Sequence, residues 1–147
     1  MTSVGRRIVA IGAVSAGIAV AVGAFGAHAL EGRVAADMLA NYETGARYHF
    51  YHSLGLIGVG LAALFLGTRG VTTDDRSHSS PDAAEHRAGL GRLRWSAVLM
   101  LTGIVLFSGS LYTMALTDLR WLGAVTPLGG VAFLAAWALF AWAVFER

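Results

Sequence analysis

Residues 95–145 read WSAVLMLTGIVLFSGSLYTMALTDLRWLGAVTPLGGVAFLAAWALFAWAVF, and across that stretch only Asp118 and Arg120 carry charge. Between Arg94 and Asp118 lie 23 uncharged residues, and between Arg120 and Glu146 lie 25. A helix needs roughly 20 apolar residues to cross a hydrocarbon core. Each half is therefore long enough to cross once. The link Thr117-Asp118-Leu119-Arg120-Trp121 is so short that the two halves must run antiparallel. Pro127 falls near the start of the second half, where a missing N–H does least harm.

Working outward toward the N-terminus, the same count repeats. There are 21 uncharged residues between Arg47 and Arg69, and 23 between Arg7 and Glu31. None of the four stretches alternates with period 2, so a membrane barrel is not supported. Arg6-Arg7, an apolar run and Ala27-His28-Ala29 also outline a signal peptide. That run exceeds the usual apolar core of about 7–15 residues, so it is read as a span. The expected fold is an all-α integral membrane four-helix bundle, with helices near 8–30, 46–67, 95–117 and 122–145. It forms a single transmembrane domain over 1–147, with a flexible cytoplasmic loop at 69–94.

Composition agrees. Of 147 residues, 56% are hydrophobic and 14% charged, against about 25% charged in a soluble domain. The absence of cysteine excludes disulfides, thiolate metal sites and thiol nucleophiles. A net charge of +2, with arginines spread along the chain, gives no nucleic-acid footprint. With the N-terminus inside, the cytoplasmic side carries Arg6, Arg7, Arg69, Arg76, Arg87, Arg92, Arg94 and Arg147, and the outside only Arg33, Arg47 and Arg120. That bias predicts an N-in, C-in protein of the cell membrane.

Small residues mark the packing surfaces. Ser15, Ala19, Gly23 and Ala27 form one row on the first span, and Ala13, Gly17 and Ala21 a neighbouring one. Gly55, Gly58 and Gly60 on the second span, with Gly103, Gly109, Gly129 and Gly130 on the last two, offer similar close-approach surfaces.

The candidate chemical residues are His28, Tyr42, Glu43, Arg47, Tyr48, His49, Tyr51, His52, Ser108, Ser110, Tyr112 and Thr126. With the spans as placed, they gather in one layer at the outer ends of the helices. On the second span, Gly45, His49 and His52 share one side with Tyr48 at its edge. Glu43, Arg47 and Tyr51 share the other, with Glu43 and Arg47 at ion-pair spacing. His28, His49 and His52 are the candidates for a metal or haem, but interfacial hydrogen bonding is the stronger reading, since no zinc fingerprint is present and no carboxylate shares the histidine face. No metal or cofactor is expected. No nucleophile–base pair stands out, and no Asp or Glu lies inside a span to drive a proton-coupled carrier.

Four stretches carry a family resemblance: GAFGAHAL (23–30), ETGARYHFYHSLGL (43–56), LFSGSLYTMAL (106–116) and VTPLGGVAFLAAWAL (125–139). In this order they resemble a family of small bacterial membrane proteins, domain of unknown function 423, similar to the transmembrane protein 256 group. The chain departs in a longer middle segment and in Ala136, where glycine is expected. The resemblance implies four helices and a bacterial plasma membrane, and it supplies no reaction. The expectation is a non-enzymatic accessory subunit or scaffold, binding lipid, a membrane-protein partner or a second copy through its Gly/Ala-rich helices. The alternatives are a histidine-based haem or metal redox protein, and a small transporter or channel with Arg47, Tyr51 and Tyr112 lining an outer vestibule.

Overall fold

The computed structural model describes residues 2–69 and 81–145. Helix α1 (Thr2–Phe25) continues through a π turn (Gly26–Leu30), and α2 covers Ala36–Arg69. Helix α3 (Pro81–Gly103) passes through a second π turn (Ile104–Ser108) into α4 (Gly109–Thr117). A 3-10 turn (Arg120–Ala124) leads into α5 (Thr126–Phe145). These elements make four rods, each long and apolar enough to cross a membrane: Ser3–Leu30, Ala36–Gly67, Ala84–Thr117 and Arg120–Phe145. No strand occurs among the described residues.

The four expected helices are present, but three of them begin earlier than expected. The second starts at Ala36, not near 46, and the third at Pro81, not near 95. Counting between charges finds the apolar part of a helix, and Asp37, Glu43 and Arg47 do not interrupt backbone pairing. Residues 81–94, expected within a flexible loop, are helical. Pro81 stands at the first helical position, where its fixed φ suits a helix start. Leu90 and Leu93 then pack on the core, and the Arg92 guanidinium lies 4.4 Å from the Trp142 ring centroid. Residues 70–80 of the expected loop lie outside the described residues.

Small residues set the helix spacing. A Cβ at Gly12 would meet the Ile57 amide nitrogen at 2.9 Å, and one at Gly60 the Val9 amide nitrogen at 2.7 Å. The first and second rods therefore touch backbone to backbone, the contact that glycine permits and lipid favours. Of the Ser15 row, Ser15 and Ala19 are buried, Gly23 is half-buried and Ala27 is exposed. Ala13, Gly17 and Ala21 stay exposed, and nothing stands within 4 Å of a Cβ at Gly17.

The distribution of polarity is that of a membrane bundle. The exposed apolar side chains include Val14, Phe65, Leu128, Val131 and Leu134. Ser15, His49, His52, Ser53, Ser96, Ser108 and Ser110 are buried. Apolar groups face outward because lipid accepts them, and polar groups face inward because only other side chains can satisfy them there. Leu56, Val59, Leu93, Met100, Phe133 and Ala136 fill the half of the core nearer the termini. Tyr42, Leu111 and Met114 fill the half nearer the two short connections, which is called the hairpin end below. There Arg120 reaches Asp37 at 3.3 Å and Asp118 at 3.1 Å, tying α2 to the second hairpin. Both pairs are exposed.

Candidate functional site

The two faces expected for α2 are present. Gly45, His49 and His52 are buried, while Glu43, Arg47 and Tyr51 are exposed. Helix α2 runs unbroken past Gly45, so the 100° periodicity holds throughout. The depth differs from expectation. His52 lies midway along Ala36–Gly67, Ser15 near the middle of Ser3–Leu30, and Phe133 near the middle of Arg120–Phe145. Polar groups therefore extend from the hairpin end down to mid-membrane and do not form a single outer layer. The earlier start of α2 is what moves them inward.

At that depth a hydrogen-bonded chain links three rods. His49 Nδ1 lies 3.3 Å from the Tyr112 hydroxyl, and His49 Nε2 lies 3.1 Å from Ser15 Oγ. Ser15 Oγ lies 2.7 Å from Ser53 Oγ, which donates to the His49 carbonyl at 2.8 Å. The carbonyl can only accept, so the Ser53 proton is committed to it. Ser15 must then donate to Ser53, and His49 Nε2–H must donate to Ser15. His49 Nδ1 is left bare and accepts from the Tyr112 hydroxyl. Every donor is used once and every bond runs in one direction.

This chain brings a serine within reach of a histidine, a pairing that the sequence alone did not reveal. Serine nucleophiles need the opposite polarity, with the hydroxyl donating to the base. Here the Ser15 proton points to Ser53, so the arrangement binds helices together and does not prime Ser15. Ser15 had been read only as a small residue, and Ser53 carried no signal beyond its position one turn from His49.

His52 is oriented differently. Its Nδ1 lies 2.7 Å from the Tyr48 carbonyl and so must donate to it, leaving Nε2 as a bare lone pair. The ring stacks on Phe133 with centroids 3.4 Å apart and planes at 11°, beside Tyr48 and Trp137. The two histidines thus hold opposite tautomers. Imidazole 15N spectra of the protein in nanodiscs should show Nε2–H at His49 and Nδ1–H at His52. A common tautomer at both positions would contradict the one-way run of bonds from Tyr112 to Ser53.

The remaining candidates fall into three groups. Tyr42 donates to the Val22 carbonyl at 3.1 Å and lies against Gly26 in the first π turn; its ring centroid is 4.9 Å from that of Tyr112. Ser110 donates to the Phe107 carbonyl at 2.9 Å and lies 2.9 Å from Thr126 Oγ1, joining the third rod to α5. Ser108 closes the second π turn fully buried, and its Oγ finds no partner among the described residues. His28 is exposed on the first π turn, so it does not join His49 and His52. Among the described residues no group of three His, Cys, Asp or Glu could hold a metal ion. Glu43 and Arg47 do not pair with each other, and the described ion pairs involve Arg120. Arg47 and Tyr51 lie on the exposed face while Tyr112 packs against Gly45 on the opposite one, so these three do not line one vestibule.

Comparison with known proteins places these features in a wider group. A family model described as "Protein of unknown function (DUF423)" matches residues 22–130. The UPF0382 membrane protein YwdK of Bacillus subtilis is 40% identical over 134 residues, covering 91% of this chain and 92% of that one. The UPF0382 inner membrane protein YgdD of Escherichia coli is 38% identical over 139 residues, covering 95% and 88%. A UPF0382 membrane protein of Staphylococcus saprophyticus is 36% identical over 141 residues, covering 96% and 98%. No solved structure matches the chain.

Proposed function

The chain belongs to the DUF423 family of membrane proteins, and from that premise we propose that it is a non-enzymatic accessory subunit or scaffold that associates with another membrane protein or a second copy. The observation that carries this reading is the state of Arg47. It is exposed inside the apolar span Ala36–Gly67 and belongs to no described ion pair. It lies five residues before His52, so at 1.5 Å per residue it is roughly 7 Å from mid-span. An arginine at the centre of a membrane helix costs about 2.5–3.5 kcal/mol on insertion scales, and such residues almost always face protein. A partner covering the Glu43–Arg47–Tyr51 face removes that cost. The exposed row Ala13, Gly17, Ala21 supports the same reading, since it offers a second close-approach surface that the bundle leaves unused. The arginine distribution supports an orientation with both termini cytoplasmic.

Extraction from native membranes in mild detergent tests the proposal. The wild type should migrate as a complex with one stoichiometric component, either another protein or a second copy. Arg47→Leu and Gly17→Leu should each reduce it to the lone bundle while leaving thermal unfolding of that bundle within about 0.5 kcal/mol, as expected for exposed positions. A wild-type particle without any partner would sink the proposal.

A further inference from the structure

Where α2 meets α5, His52 carries a group that helix association does not use. His52 is 5% exposed, and its Nδ1 is committed to the Tyr48 carbonyl. Its Nε2 is a lone pair without a hydrogen-bond donor among the described residues, yet it is not one of their sealed, unpartnered atoms. The Tyr48 hydroxyl also has no partner there, and Tyr48 is 40% exposed. Flat rings frame the two groups. His52 lies nearly parallel to Phe133 at 11° and to Tyr48 at 17°, and the Trp137 ring, 43% exposed, has its centroid 6.2 Å from that of His52. One acceptor and one hydroxyl are therefore carried on neighbouring rings 6.0 Å apart, with Phe133 and Trp137 as aromatic walls beside them.

Depth narrows what can satisfy them. His52 lies midway along its span and Phe133 near the middle of α5. Phospholipid headgroups sit roughly 15 Å away at the edges of a ~30 Å core. Bulk water is absent, and an unpaired polar group in hydrocarbon is costly. The complementary molecule must dissolve in the membrane core, carry a flat ring for the aromatic walls, and bring a hydroxyl donor for Nε2 together with an oxygen that accepts from Tyr48. A quinol meets all of these conditions. We propose that Tyr48, His52, Phe133 and Trp137 form a lipid-facing binding site for the ring of a membrane quinol, whose hydroxyl donates to His52 Nε2. The site adjoins the partner face on α2 at one edge, where the Tyr48 and Tyr51 ring centroids are 6.3 Å apart, but His52 itself points elsewhere. Arg47 and Tyr51 stand about 100° or more around the helix from His52.

The committed tautomer makes the proposal specific. A quinol donates, whereas the corresponding quinone has only carbonyl acceptors and cannot pair with a lone pair. Full-length protein with 15N-labelled histidine, in nanodiscs, would be titrated with decylubiquinol and with decylubiquinone. The quinol should shift the His52 Nε2 resonance saturably and leave His49 in place. It should half-saturate at about tenfold lower membrane content than the quinone, the ratio expected for one neutral hydrogen bond. His52→Phe keeps a ring on Phe133 but removes the acceptor. Its titration, followed by tryptophan fluorescence, should lose the preference for the quinol. An unmoved His52 signal at saturating quinol, equal affinity for both forms, or a preference that survives in a folded His52→Phe protein would each overturn the proposal. The wild-type spectrum decides by itself if that variant does not fold.

Discussion

Replacing Gly129 by alanine is expected to destabilise the bundle by about 2–3 kcal/mol, the upper part of the range for overpacking, while the same change at the adjacent Gly130 should cost nothing measurable. A Cβ at Gly129 would press on the Phe107 backbone, meeting its Cα at 2.8 Å and its Cβ at 2.7 Å, and the Phe107 amide nitrogen more closely still. A flexible side chain could turn aside. Backbone cannot, and this backbone is the second π turn, held by Phe107 ring contacts to Tyr48 at 4.7 Å and Phe133 at 5.6 Å. A Cβ at Gly130 meets nothing within 4 Å. There alanine gains helix propensity and loses no contact. Denaturant unfolding of both variants in bicelles, followed by circular dichroism, makes the comparison. Equal stabilities would mean that α5 and the π turn do not touch as described.

The asymmetry between these neighbouring glycines marks the limit of what the sequence discloses. Both belong to VTPLGGVAFLAAWAL and both read as small residues suited to close approach. Which one faces Phe107 depends on the rotation of α5, and that rotation is set by contacts with a rod that ends before residue 118. The four spans were legible because charge exclusion from hydrocarbon is a local property. The division of α2 into a buried His49–His52 side and an exposed Glu43–Arg47–Tyr51 side was legible because helical periodicity is local too. Helix starts were not legible, since a helix can extend past its apolar part. Ala36 and Pro81 were missed for that reason.

The polar site was legible in its residues and not in its bonds. Eight of the twelve candidates lie on the second span or beside it in GAFGAHAL, so the level at which they meet depended on where α2 begins. His49 bonds Ser15, 34 positions away, and Tyr112, 63 positions away. No spacing rule reaches that far. Glu43 and Arg47 illustrate the converse, since i, i+4 spacing permits a pair but does not compel one. A pair between exposed side chains on a helix is worth only about 0.3–0.5 kcal/mol. Pairing with Glu43 thus gains too little to hold Arg47, which is left for a partner to satisfy.

His49→Leu is expected to cost about 2 kcal/mol, and part of that cost should be coupled to Ser15. The substitution removes the acceptor for the Tyr112 hydroxyl and the donor to Ser15 Oγ in one step. Interhelical hydrogen bonds in membranes average only about 0.6 kcal/mol, with a maximum near 1.7. An orphaned buried group, however, costs about 1–3 kcal/mol. The cost therefore comes more from the groups left behind than from the bonds lost. Ser15→Ala should cost about 1 kcal/mol, because it leaves His49 Nε2–H without an acceptor but keeps the Tyr112 bond. In the double variant neither residue orphans the other, so its cost should fall short of the sum of the two single costs by about 0.5 kcal/mol or more. Additive costs would mean that the two side chains stand near one another without being bonded. The directed chain from Tyr112 through His49, Ser15 and Ser53 would then have to be abandoned, and with it the assignment of the Nε2–H tautomer to His49.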